Sequence, residues 1–252
     1  MKTQFLDRIK NLSKERSSRI ILALDYINKD PKTLEDNCIF IIKNAGKSLI
    51  AIKMNFHLII PLSMDSMKRI ITIAHENGLQ AIADIKLNDI SSTNLTVADL
   101  LWKIGFDAII VNPIVGYEEG LKLLIENAHK NNKGIIFLVY MSHKGAKDGY
   151  GLTVNEKGDK IKMHELFIKR ALQWKSDGVV IGATKPKIIT DSAKKLKGQI
   201  PIFCPGIGVQ GGSHIKAVKA GADFLIIGRT ILNADKPVQI TEKIRQDVWV
   251  TH

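Results

Sequence analysis

Two cysteines in 252 residues, Cys38 and Cys204, are too few for a disulfide framework. One falls in a helical pattern and the other in a strand, where a free thiol behaves as a small buried hydrophobe. Neither opens a C-x-x-C, and the seven histidines show no H-x-x-x-H spacing, so no metal site is expected. Aromatic residues make up 6% of the chain, which provides no base-stacking platform. No window approaches the roughly 18 uninterrupted apolar residues of a membrane helix. The first 19 residues are charged throughout and lack the apolar centre of a signal peptide. They read as a short amphipathic helix ahead of the core. These absences predict a soluble, cytoplasmic protein in a reducing compartment, with no membrane partner.

What is present is basic. Lysine and arginine number 37 against 25 acidic residues, for a net charge of +12. Such a charge admits nucleic-acid binding. However, the lysines scatter over every expected helix, and the nearest approach to a run is residues 185–197. A solvated, lysine-rich surface that attracts anionic substrates accounts for the charge without a nucleic-acid partner.

One unit repeats along the chain: a short β-branched run, a turn, then a helical stretch. The runs fall at residues 19–24, 49–54, 79–83, 108–111, 135–139, 178–181, 200–204 and 224–227. Helical stretches follow at 33–45, 65–77, from Ser92 or Thr93 as N-cap to 104, and at 117–130. Further ones end near 174, start at Pro186, span 213–220 and close the chain. The strands are apolar throughout, as expected where both faces are buried. Eight alternations without a composition break predict one (β/α)8 TIM-barrel domain over residues 1–252, with 1–18 as an N-terminal helical extension. A doubly wound open sheet is the alternative.

Barrel chemistry sits at the C-terminal strand ends. The polar residues expected there are Asp25, Lys53, Asp84, Lys86, Asn112, Ser142 and Thr184, and the first three strands each end in a charge. On the third strand, side-chain alternation puts Ile82, Asp84 and Lys86 on one face, with Asp89 past the strand end. Charges on a buried strand must be paired. The stretch taken alone is either a structural ion pair or catalytic machinery. Lysines held among aspartates do not suit a Schiff base, which wants a desolvated amine. Nor do ammonium groups suit a metal site. They suit electrostatic stabilisation of, and proton donation to, a developing carbanion.

The segment Pro205-Gly206-Ile207-Gly208-Val209-Gln210-Gly211-Gly212 contains G-x-G-x-x-G, but follows the seventh strand rather than the first. In a barrel that position, with Gly228-Arg229 after the eighth strand, is the usual phosphate site. Two glycine-rich turns beside a surface arginine are the plain alternative. A phosphorylated substrate is expected.

Asp25, Lys53, the D-x-K-x-x-D set Asp84/Lys86/Asp89, Met141-Ser142-His143, the Pro205–Gly212 loop and Gly228-Arg229 together closely resemble the orotidine 5′-monophosphate decarboxylase family. The resemblance runs from about residue 19 to 233. It implies a cofactor-free, metal-free decarboxylation of orotidine 5′-monophosphate to uridine 5′-monophosphate, the last step of de novo pyrimidine nucleotide synthesis. Lys86 would protonate C6 of the pyrimidine, and Asp84 would lie against the substrate carboxylate. Lys53 would bridge Asp84 and the ribose hydroxyls, with Asp25 also on the ribose. Asp89 and Thr93 would reach the neighbouring site of a homodimer, and Ser142 would bond the pyrimidine. Gln210 and Arg229 would hold the phosphate, and Ile90, Pro205, Gly211 and Gly228 would complete the substrate contacts.

Three features depart from the family pattern. Asn112-Pro113 stands where relatives often show histidine, Ser91 where many have proline, and the passage 144–162 is longer. That passage reads as a surface hairpin in preference to a lid. The rival enzyme is a metal-dependent sugar-phosphate decarboxylase or aldolase of the same suprafamily, of the 3-keto-gulonate 6-phosphate decarboxylase or hexulose-phosphate synthase type. Those relatives carry an acidic metal ligand where this chain has Lys53. A non-catalytic nucleic-acid-binding barrel is the remote third reading.

Overall fold

Each apolar run becomes a strand of one closed parallel barrel. The protein, seen in a computed structural model, is described over residues 4–27 and 30–249. Its strands are β1 (Ile20–Ala23), β2 (Ala51–Asn55), β3 (Gln80–Leu87), β4 (Ala108–Val111) and β5 (Gly134–Tyr140). The hairpin strands β6 (Thr153–Glu156) and β7 (Asp159–Lys162) follow, then β8 (Gly178–Ile181), β9 (Ile202–Pro205) and β10 (Phe224–Ile227). The barrel closes in the order β1-β10-β9-β8-β5-β4-β3-β2, so the expected eight-stranded barrel is found. Every barrel pair is parallel, and among the described residues only β6–β7 is antiparallel. Passage 144–162 is therefore a short helical turn and a hairpin, and it does not line the cavity at the barrel mouth.

The helices are α1 (Gln4–Glu15), α2 (Pro31–Ala45), α3 (Phe56–Ile59), α4 (Met64–Glu76), α5 (Ser91–Ile104) and α6 (Lys122–Lys130). After the hairpin come α7 (Met163–Gln173), α8 (Pro186–Leu196), α9 (His214–Lys219), α10 (Arg229–Leu232) and α11 (Pro237–Trp249). The N-terminal helix α1 buries Phe5, Leu6, Ile9 and Leu12. It lies across the N-terminal strand ends, with Arg8 donating to Gln80 and Arg16 to the carbonyls of Gly46, Leu49 and Asn77. No helix among the described residues is long and apolar enough to cross a membrane.

The barrel floor carries a repeated device. Asp107, Asp177 and Asp223 stand where β4, β8 and β10 begin. Each accepts, through its carboxylate, a backbone N–H at the start of the strand before it in the barrel: Ala81 (2.9 Å), Ile135 (2.8 Å) and Ile202 (2.8 Å). Each returns a bond from its own N–H to the carbonyl of that same residue. His75 and His129, in the last turns of α4 and α6, bond Asp107 and Asp177 at 2.8 and 3.2 Å.

Three expected boundaries are corrected. Helix α5 is capped by Ile90 with no side-chain bond, rather than by Ser92 or Thr93. The backbone there is held by buried Asn94, whose amide bonds Asp89 on both its N–H and its carbonyl. The helix expected over 117–130 starts only at Lys122, because Asn94 and Ser91 also bind the Gly120 carbonyl and fold 117–121 into an irregular turn. Strand β9 runs two residues later at its start and one later at its end than expected, since Pro201 cannot donate a ladder bond.

Helices α2 and α4 are joined by Glu35 and Arg69. The guanidinium donates to both carboxylate oxygens (2.5 and 2.8 Å) and, against the burial that pushes the other way, draws the Glu35 carboxyl down to about 2. Because this folded-state value lies below the unfolded value of 4.5, the stabilisation is full above that pH and fades as pH falls through about 2. Glu35→Gln should cost about 1–3 kcal/mol at neutral pH, or about 2–4 °C of melting temperature for each kcal/mol. The gap to wild type should narrow in melts at pH 3. A gap as wide at pH 3 as at pH 7 contradicts this account.

Candidate active site

At the C-terminal mouth of the barrel, β1, β2 and β3 end beside one another and bring four charges into a row. Registers Ala23↔Lys53 and Asn55↔Asp84 align the strand ends. Lys53 Nζ lies 3.9 Å from Asp25 Oδ1 and 3.0 Å from Asp84 Oδ2, while Lys86 Nζ lies 2.7 Å from Asp84 Oδ1. The order Asp25, Lys53, Asp84, Lys86 alternates in sign. Lys53 and Asp84 are buried, at 4% and 8% exposure, and buried charges are tolerated only when paired. Burial alone would push the Asp84 carboxyl up. The ammonium groups of Lys53 and then Lys86, with their hydrogen bonds, outweigh it and hold the carboxyl below the usual carboxylate range. At an effective dielectric of about 20, unit charges ~4 Å apart interact by ~4 kcal/mol.

Lys86 reaches this row through an irregular backbone. Its φ is +48°, and the β3–β4 register slips between Ala83 and Leu87, where four steps on β3 answer two on β4. Such a bulge re-aims a side chain at the end of a strand. A non-glycine residue held at positive φ costs of order 1–3 kcal/mol and is over-represented at functional sites.

The row forms one side of a cavity of about 200 Å³. Ile110, Leu138, Val180 and Ile226 form an apolar side, and Met141 and Ser142 stand at the exit of β5. The glycine loop after β9 and Gly228-Arg229 after β10 complete the rim. A Cβ at Gly228 would overlap the Asp25 carboxylate and displace it. Ser142 Oγ donates to Gln210 Oε1 at 2.6 Å, tying the exit of β5 to the loop. Within the loop, the N–H groups of Gly208, Gly211 and Gly212 donate to Gly212, Gly208 and Gly206 carbonyls. In this conformation those three donors are engaged inside the loop. Arg229 is exposed at the start of α10, and no carboxylate among the described residues pairs with it.

Of the residues singled out in the sequence, the cavity brings together Asp25, Lys53, Asp84, Lys86, Ser142, Pro205, Gln210, Gly228 and Arg229. It does not include Asp89, Ile90, Thr93 or Gly211. Asp89, Ile90 and Thr93 lie exposed at the start of α5, outside the mouth. Asn112 also lies outside, where it caps the turn Pro113–Val115. Asn55 was missed. It stands two residues past Lys53 on the same strand face, lines the cavity, and donates to Asp25 Oδ1 at 3.1 Å, while its buried Oδ1 has no partner among the described residues. Among the described residues no group of three or more His, Cys, Asp or Glu side chains is placed to hold a metal ion.

A model of the orotidine 5′-phosphate decarboxylase / HUMPS family matches residues 18–244. The chain is 34% identical to the orotidine 5′-phosphate decarboxylase of Pyrococcus furiosus, over 91% of this chain and 97% of that protein. It superimposes on the crystal structure of the Pyrococcus horikoshii OT3 enzyme of the same name with a TM-score of 0.74. There the identity is 33%, over 91% of this chain and 98% of that one. The Methanocaldococcus jannaschii orotidine 5′-monophosphate decarboxylase, complexed with inhibitor BMP, gives a TM-score of 0.78 at 25% identity. That match covers 92% of this chain and 98% of the other.

Proposed function

The chain belongs to the orotidine 5′-phosphate decarboxylase / HUMPS family, and on that premise we propose that it converts orotidine 5′-monophosphate to uridine 5′-monophosphate and CO2. The observation that carries the reading is the alternating row, with a buried ammonium, Lys53, on β2 where the metal-dependent branch needs an acidic ligand. The pyrimidine lies against the apolar side of the cavity with C6 toward Lys86. The bond from C6 to the carboxylate breaks, CO2 leaves, and the electron pair stays on C6. Lys86 Nζ gives its proton to C6 and regains one from solvent. Asp84, kept ionised by its two lysines, lies against the substrate carboxylate, so a like-charge contact present before the reaction is relieved as CO2 departs. The fixed ammonium groups need no reorganisation as charge develops.

Lys53 and Asp25 take the ribose hydroxyls, and Asn55, with an unpartnered buried acceptor beside Asp25, joins them. Arg229 and Gln210 take the phosphate. Its binding energy, expressed far from the reacting carbon, serves to order the glycine loop and expel water. No metal or organic cofactor enters this scheme. The active unit is a cytoplasmic homodimer in which Asp89 and Thr93 complete the partner's site. Their exposed position outside their own cavity supports this, as do the exposed apolar Ile90, Leu100, Ile114 and Leu123.

The test is the loss of orotidylate absorbance on mixing with the protein. A protein inert toward orotidylate defeats the reading. Turnover should survive dialysis against EDTA; loss of activity that a divalent cation restores would favour the sugar-phosphate rival.

A further inference from the structure

The chain leaving β5 is fixed at Ser142 by a residue that does not line the cavity. The last ladder bond between β5 and β8 runs from Gly182 N to Tyr140 O at 2.8 Å. In a regular parallel pair the ladder would continue from the Ser142 N–H to the Gly182 carbonyl, and then from the N–H of residue 184 to the Ser142 carbonyl. The chain turns instead, with Lys185 N donating to Gly182 O at 3.0 Å and α8 starting at Pro186. The Thr184 hydroxyl takes the place of the second of these rungs, donating to Ser142 O at 2.8 Å. The two backbones are in close contact here: a Cβ on residue 182 would stand 2.5 Å from Ser142 Cα and 2.7 Å from its nitrogen. The β5–β8 register also slips between Leu138 and Tyr140, so the ladder below does not by itself fix where Ser142 points. On its other side Ser142 Oγ donates to Gln210 Oε1 at 2.6 Å.

We infer that Thr184 is a positioning residue for the reaction: its hydroxyl extends the β5–β8 ladder by one rung, sets Ser142, and through Ser142 aligns Gln210 for a phosphorylated substrate. This rests on the function proposed above and assigns a role to a residue outside its contacts.

The test is a mutant cycle read as kcat/KM on orotidylate and, separately, as affinity for uridine 5′-monophosphate by calorimetry. Thr184→Val should lower kcat/KM about tenfold, the size of one hydrogen bond to a carbonyl. Thr184→Ser, which keeps the hydroxyl, should stay within about twofold of wild type. Ser142→Ala should lose more, and Thr184→Val/Ser142→Ala should match Ser142→Ala within about twofold, because the threonine acts through that serine. Losses that multiply in the double variant, or a Thr184→Val protein as active as wild type, overturn the inference. Thr184→Ala carries the same test if valine disturbs the fold. A wild type that binds uridine 5′-monophosphate without consuming orotidylate defeats the proposed function alone, and the affinity cycle then decides the role of Thr184.

Discussion

Lys86→Ala should lower turnover of orotidylate by at least about 10⁴-fold while leaving a folded protein. Two losses combine. A positioned proton donor contributes about 10²–10⁴, and a fixed charge aimed at developing anionic character about 10²–10³. The substitution also strips Asp84 of the nearer of its two cations, at 2.7 Å, and leaves Lys53 at 3.0 Å as the remaining ammonium partner among the described residues. Since burial pushes that carboxyl up, the remaining pair holds it down less firmly. Folding should tolerate the change: the Lys86 side chain is 34% exposed, and alanine is no worse suited than lysine to a φ of +48°. Lys86→Arg should not restore activity, because a guanidinium does not give up its proton. Absorbance assays at saturating substrate, with circular dichroism for the fold, check this. A variant keeping more than about a hundredth of wild-type turnover removes Lys86 from the proton-donor role.

Mixing Lys86→Ala with Asp89→Asn protein should restore activity that neither has alone. If each site draws Lys86 from one subunit and Asp89 from its partner, a heterodimer of the two variants contains one site with both substitutions and one with neither. Random exchange of equal amounts puts half the dimers in that state, so recovery should approach about a quarter of wild type, against less than about a hundredth for either parent. The placement of Asp89 motivates the experiment. It is exposed, it lies outside its own cavity, and Asn94 fixes its backbone at the start of α5. Subunit exchange is followed independently with tagged chains. Exchange without recovery refutes the shared site.

The charged row was legible because lysine and aspartate stand out on strands that are otherwise apolar, and because a period of two puts 84 and 86 on one face. The route by which Lys86 arrives was not. Alternation assumes a regular strand, and no glycine marks the register slip between Ala83 and Leu87. Asn55 was readable in principle, since the same period places it beside Lys53, but an uncharged amide does not stand out. The break at 117–121 depends on Asn94 capturing a carbonyl 26 residues away, which no local pattern announces. Caps behaved the same way: serine and threonine near the start of α5 lost their usual role because Asn94 already organises that turn. Thr184 appeared among the polar strand ends, yet its partner, a carbonyl on another strand, is visible only once the strands are paired.

The three floor carboxylates sort the barrel by parity. Those opening β4, β8 and β10 each reach back to the strand before them in the barrel, so residues 80–111, 134–181 and 202–227 form stapled pairs of strands. The remaining seams lack such a staple among the described residues, and one of them separates β2 from β3. Lys53 and Asp84 face each other across that seam, at the opposite end of the strands. The ion pair at the barrel mouth is therefore also a rivet that closes one of the barrel's seams from above.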